Sequence, residues 1–182
     1  MKGVDIMKFD LRKMVLSAIL VALTVVIVFT FPKIVIPPWS ATLAFHVPLL
    51  LAMFISPFSA VGVAVGGAIA FMFINPLIAL RALSQIVFVL VGYCLLKRGV
   101  NMYLTLIIIA PIHAVMESLV VLPFTLGADA GKVFQTVIVV TGLGTVLHHF
   151  VDCVIAVPIL KIFQHTRLVP LIGVDKRIKK AE

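Results

Sequence analysis

Apolar residues fill this chain in six long runs, each closed by proline, glycine or charge. None of the runs alternates with polar residues at the two-residue period of a half-buried strand, so they read as helices. They extend from Arg12 to Phe31, Thr42 to Ser56, Ser59 to Ile74, Ala79 to Leu96, Met102 to Leu126 and Lys132 to Phe163. Pro32, Pro37 and Pro38 end the first run, and Ser56-Pro57 and Asn75-Pro76 turn the chain around the third. Lys97-Arg98-Gly99 and Gly127 to Gly131 separate the last three. A helix that crosses a bilayer needs roughly 20 apolar residues at about 1.5 Å each. Segments 2 and 3 are short by that measure and are expected to tilt or to re-enter. The pattern predicts an all-α integral membrane protein, a single domain over residues 1–182 with six transmembrane helices.

Composition agrees with that reading. Of the 182 residues, 63% are hydrophobic and only 12% are charged. A soluble fold of this size leaves too much surface in water to hide so much apolar area. The first apolar run is too long for a signal-peptide core and no Ala-x-Ala site follows it, so it is expected to span. Cys94 and Cys153 each lie inside an apolar run. They read as small buried residues rather than as a disulfide or metal framework.

Charge sets the expected orientation. Of the 15 Lys and Arg, twelve lie before segment 1, between segments 4 and 5, or at and beyond the end of segment 6. Only Lys33, Arg81 and Lys132 lie on the other side. The positive-inside rule then places both termini in the cytoplasm, in keeping with an even number of spans. The net charge of +8 is mostly this topology signal. No base-reading or aromatic nucleic-acid motif accompanies it, so no nucleic-acid partner is expected. The basic tail from Leu168 to Glu182 is expected to face lipid headgroups.

Against so apolar a background the polar residues stand out, because ionisable groups inside a bilayer are costly and face the protein interior. Segment 2 carries His46 near its outer end. Segment 4 carries Arg81, Ser84 and Gln85, at i, i+3 and i+4 on one face. Segment 5 carries His113 and Glu117, four apart. Segment 6 carries Thr141, Thr145, His148 and Asp152 as a stripe about three turns long. Counting residues from the outer end puts Arg81 in the first turn and Glu117 about 14 Å deep. His46, Arg81, Gln85, Glu117, Thr141, Thr145 and His148 are thus expected to converge on one outward-opening pocket. Asp152 lies deeper and is expected to fall outside it.

Two accounts of these residues stay open. In one they bind a small polar molecule, with the planar guanidinium of Arg81 clamping a carboxylate and Trp39 in the outer loop acting as a lid. In the other they form a structural network in which Arg81 pairs with Glu117, and Trp39 is an interfacial belt residue. The same histidines and carboxylates are metal-ligand types, but His148 and His149 are about 100° apart on a helix and no HExxH is present, so no metal is expected. A proton relay through His148 and Asp152 is the remaining chemical option. The sequence lacks a P-loop, a nucleophile elbow and any detected inverted repeat, and no cofactor is expected. A polar pocket with no means of using ATP points to a binding subunit, not an enzyme, that works with other chains. A small proton-coupled carrier and an intramembrane hydrolase using His148, Glu117 and Asp152 are the alternatives. Gly62, Gly66 and Ala70 repeat every fourth residue, as do Ala18 and Ala22, and both stripes allow a helix to approach closely.

Three stretches carry a family resemblance. Ala18-Ile-Leu-Val-Ala22 matches an AxxxA pattern, and HVPLLLAMFISPFSAVGVAVGG (His46 to Gly67) and NPLIALRALSQ (Asn75 to Gln85) accompany it. Over nearly its whole length the chain resembles the substrate-binding (S) components of energy-coupling factor vitamin transporters, the niacin type most of all. The resemblance implies capture of a vitamin from outside in a pocket built from segments 4 to 6 and the loop between segments 1 and 2. It implies docking through Ala18 and Ala22 on a transmembrane coupling subunit, and energy from two cytoplasmic ATPases. Nicotinate is a pyridine carboxylate, which Arg81 would suit. The N-terminal metal-binding extension of nickel and cobalt S components is absent.

Overall fold

The computed structural model describes residues 11–165. The expected basic tail lies outside the described residues, as do Lys2 and Lys8. In chain order the elements are α1 (Leu11–Thr30), β1 (Lys33–Ile36), β2 (Trp39–Thr42), α2 (His46–Met53), α3 (Pro57–Met72), α4 (Pro76–Ser84), α5 (Ile86–Lys97) and α6 (Met102–Val121). A 3-10 turn (Leu122–Thr125), α7 (Ala130–Val133), a π-helical segment (Phe134–Leu143) and α8 (Gly144–His165) complete it.

All six apolar runs are helical, and local chemistry fixes their starts. Asn75 caps α4 by accepting from the amides of Leu77 (2.9 Å) and Ile78 (3.4 Å), with Pro76 at the first helical position. Ser56 and Pro57 open α3 in the same way, and Asn101 caps α6 at the amide of Leu104. Among the described residues, four helical stretches are long and apolar enough to cross a membrane: Leu11–Thr30, Pro76–Lys97, Met102–Thr125 and Ala130–Phe163. The stretch Pro57–Met72 is apolar but shorter, and α2 has only eight residues.

Three features depart from a plain six-helix reading. The loop after α1 is an antiparallel hairpin, with Lys33 opposite Thr42 and Ile36 opposite Trp39. Its β-branched first strand is exposed, whereas Trp39, Ala41 and Thr42 of the second are buried. Segment 4 is broken at Gln85, whose amide bonds the carbonyl of Ala82 rather than continuing the α ladder. Segment 6 widens into π geometry over Phe134–Leu143, a form that is rare at this length.

The core lies around α2, which is buried along its whole length. Its Leu49, Leu50 and Met53 cluster with Phe54, Phe88, Ile109 and Leu160. Gly66 lets α3 close on α1, because a Cβ there would stand 2.6 Å from Val21. Ala18 and Ala22 are exposed, with Val15, Ile19 and Val26, so this stripe is turned away from the α1–α3 contact. Cys153 is buried as expected. Cys94 is exposed, which corrects the expectation that both cysteines are interior.

Candidate functional site

The buried polar residues gather where α2 begins, and each is positioned by a different element. The carboxylate of Glu117 on α6 is the centre. Its Oε2 accepts from Arg81 Nε at 3.1 Å and Nη2 at 2.5 Å, and from the Thr145 hydroxyl at 2.8 Å. Its Oε1 accepts from Gln85 Nε2 at 3.2 Å and His113 Nε2 at 3.1 Å. Arg81 and Glu117 are each about 3% exposed, so this is an ion pair removed from solvent and nearly fully hydrogen-bonded. The break at Gln85 places its amide between two helices, and its Nε2 also donates to His46 Nε2 at 3.0 Å.

Asp152 on α8 is a second centre, and it is not among the residues that line the pocket, in keeping with the expectation that it lies outside it. It is fully buried, and its two oxygens accept from the backbone amides of Ala44 and His46, both at 2.9 Å. Oδ2 also accepts from His46 Nδ1 at 2.8 Å and lies 3.2 Å from His148 Nε2. This grip explains the backbone before α2. Ala44 has φ of 64°, in the left-handed region that costs a non-glycine residue roughly 1–2 kcal/mol, and the carboxylate holds it there. Asp152 touches the cleft only through His46 and His148, two of its lining residues.

The expected residues divide as follows. Arg81, Gln85, Glu117, His46 and His148 line one narrow cleft with Ser40, Thr42, Phe45, Phe71, Ile78 and Ala82. Its free volume is about 20 Å³, room for about one water. Thr145 is joined to it through Glu117. Trp39 reaches the network through its indole Nε1, which donates to Thr145 Oγ1 at 3.1 Å, and its ring rests on Gly144, where a Cβ would stand 3.0 Å away. Trp39 is therefore buried rather than a belt residue. Thr141 is not brought to the cleft, since its hydroxyl donates to the carbonyl of Thr136 within the π segment. Ser84 likewise donates to the carbonyl of Arg81. His113 and His149 were not among the expected pocket residues, yet both are fully buried and their Nδ1 atoms meet at 3.3 Å. The i, i+4 spacing of His113 to Glu117 is the sequence signal that could have found the first. Beyond the hairpin an apolar groove lined by Ile34, Trp39, Leu43, Val140 and Leu147 shares His148 with the cleft.

Two atoms in the cleft lining are left over. Arg81 Nη1 and Gln85 Oε1 are buried without a hydrogen-bond partner. A buried unpaired donor or acceptor costs about 1–3 kcal/mol, so each of the two would gain from a partner. Several ring nitrogens and carboxylates also lie within 4.8 Å of one another, close enough for a cation. In each group the nearest of these atoms are already joined by the hydrogen bonds just described, which account for their arrangement without an ion.

Comparison with known proteins bears on what such a cleft serves. No protein-family model and no solved structure matches the chain. The niacin transporter NiaX of Lactococcus lactis subsp. cremoris (strain MG1363) is 34% identical over 159 residues, covering 80% of this chain and 71% of the relative. The long apolar helices fit the multi-pass membrane protein that this similarity implies. The chain belongs to the family resembled on sequence alone, the substrate-binding S components of energy-coupling factor vitamin transporters, and within it is most similar to the niacin type.

Proposed function

We propose that this protein is the subunit that captures nicotinate for an energy-coupling factor importer, with Arg81 as the anchor of the carboxylate. The unpaired Nη1 of a buried arginine lining the cleft carries the reading. An Arg–carboxylate pair is strong and directional, and Nη1 is free to donate to a second carboxylate while Nε and Nη2 hold Glu117. Phe45, Phe71 and Ile78 offer an apolar wall to the pyridine ring. His46, Gln85, Glu117 and His148 supply polar contacts, while Thr145 and Trp39 position Glu117. As it stands the cleft has about 20 Å³ of free space, room for about one water and far below the roughly 300–1,000 Å³ of drug-sized sites, so a ring enters only when the lining parts. The niacin transporter to which the chain is similar supports the same ligand class.

In this reading six helical segments form one membrane domain with both ends in the cytoplasm, α2 and α3 being too short to cross fully. The outward face of α1 around Ala18 and Ala22 docks on a transmembrane coupling subunit, and two cytoplasmic ATPases supply energy. The test is calorimetric titration of the detergent-purified protein. Nicotinate binds at micromolar concentration or below, and Arg81→Ala abolishes binding. Tight binding of riboflavin, thiamine or biotin in place of nicotinate contradicts the assignment.

A further inference from the structure

The hydrogen bonds of the buried network leave one proton unaccounted for. Five donors converge on Glu117: Arg81 Nε and Nη2, Gln85, His113 and Thr145. Three converge on Asp152, two backbone amides and His46 Nδ1, while His148 Nε2 meets the Thr42 carbonyl at 3.0 Å and stands 3.2 Å from the same carboxylate. The buried guanidinium of Arg81 takes Glu117 as its counter-anion, and a backbone amide on each oxygen of Asp152 favours the carboxylate there. His46 then bears its proton on Nδ1 and accepts from Gln85 on Nε2, a neutral ring with both nitrogens satisfied.

The same bookkeeping fails at His113 and His149. The Nε2 of His113 faces Glu117 Oε1, and the Nε2 of His149 faces the carbonyl of Leu106 at 3.1 Å. Both partners are pure acceptors, so each Nε2 bears a proton. A neutral imidazole has only one, which leaves a bare lone pair on both Nδ1 atoms, 3.3 Å apart and buried. Two facing lone pairs repel, and an N–H between them removes the conflict.

We propose that His113 and His149 form a proton-binding site that holds one proton between their Nδ1 atoms in the resting protein, with His113 as the main bearer. The Glu117 carboxylate beside the pair supplies a counter-charge for the shared proton. The ionisable groups facing the pair are Glu117 from α6, Arg81 from α4, His46 from α2, and His148 and Asp152 from α8. The consequence for binding rests on the nicotinate reading. A cationic His113 gives Glu117 a second counter-charge, which releases Arg81 to hold a ligand carboxylate.

The test is nitrogen NMR of the full chain, ¹⁵N-labelled at histidine, in detergent micelles at about neutral pH, where a free histidine is mostly uncharged. The expected spectrum has one ring with both nitrogens at imidazolium shifts, lost in His113→Gln, and a nitrogen–nitrogen coupling across the hydrogen bond between two Nδ1 atoms. A spectrum in which the His113 ring is neutral and no such coupling exists overturns the proposal. Because the wild-type spectrum needs no ligand, that result leaves the nicotinate reading standing. Failure to bind nicotinate in turn leaves the proton site standing.

Discussion

Glu117→Gln separates the two roles open to Arg81. The carboxylate takes five hydrogen bonds and is the partner of a guanidinium that is 3% exposed. Glutamine keeps the shape, removes the charge and turns one acceptor into a donor amid other donors. Removing one member of a buried ion pair costs about 3–5 kcal/mol. For a chain of 182 residues that lowers the unfolding midpoint by about 6–20 °C, at roughly 2–4 °C per kcal/mol. Nicotinate then acts twice. At about a hundred times its Kd it adds roughly 2.7 kcal/mol to any fold it binds, and in the variant it also supplies the missing counter-charge. The ligand-induced rise in midpoint is therefore larger in Glu117→Gln than in the parent. Thermal unfolding in detergent, followed by the fluorescence of the single tryptophan, reads both quantities. A variant that melts with the parent refutes the cost assigned to the pair. A ligand shift no larger than the parent's refutes Arg81 as the anchor.

Other perturbations test the remaining parts of the site. Asp152→Ala strands the buried amides of Ala44 and His46, at about 1–3 kcal/mol each, and equilibrium unfolding should show a loss of about 2–6 kcal/mol. Gly144→Leu pushes a side chain into the Trp39 ring, where even a Cβ would stand 3.0 Å away. Overpacking of this kind costs about 1–3 kcal/mol and lifts the hairpin, so tryptophan emission shifts to the red; unchanged emission would count against the seat. Ala18→Trp and Ala22→Trp, on the exposed face of α1, block co-purification with a coupling subunit and spare nicotinate binding. Assembly that survives both changes assigns docking to another face.

Much of this site was legible because helical spacing is rigid. Arg81 to Gln85, His113 to Glu117 and Thr145 to His148 each fall about one turn apart, and the cleft collects a member of every pair. What escaped was set by departures from a straight α-helix. The hairpin hid in a segment read as a loop between prolines, although Ile34-Val35-Ile36 favours a strand. The break at Gln85 has no sequence mark of its own, since no glycine or proline accompanies it. It follows from tertiary contacts that draw the side chain to His46 and Glu117. Asp152 does not line the cleft, and what escaped was its hold on the chain reversal before α2, because its partners there are backbone amides that no side-chain pattern marks. His149 was set aside for facing away from His148, and it does, but it reaches Glu117 through His113.

The clamp of Asp152 on the turn before α2 also has a kinetic face. Ala44 and His46 belong to an irregular connection, the kind of backbone whose amide protons ordinarily trade with solvent first. Here both amides end on a fully buried carboxylate of α8. They can exchange only when α2, the hairpin and α8 part from one another. In hydrogen–deuterium exchange this turn should retain its label as long as the central helices do, which would make it the most direct clock for opening of the cleft.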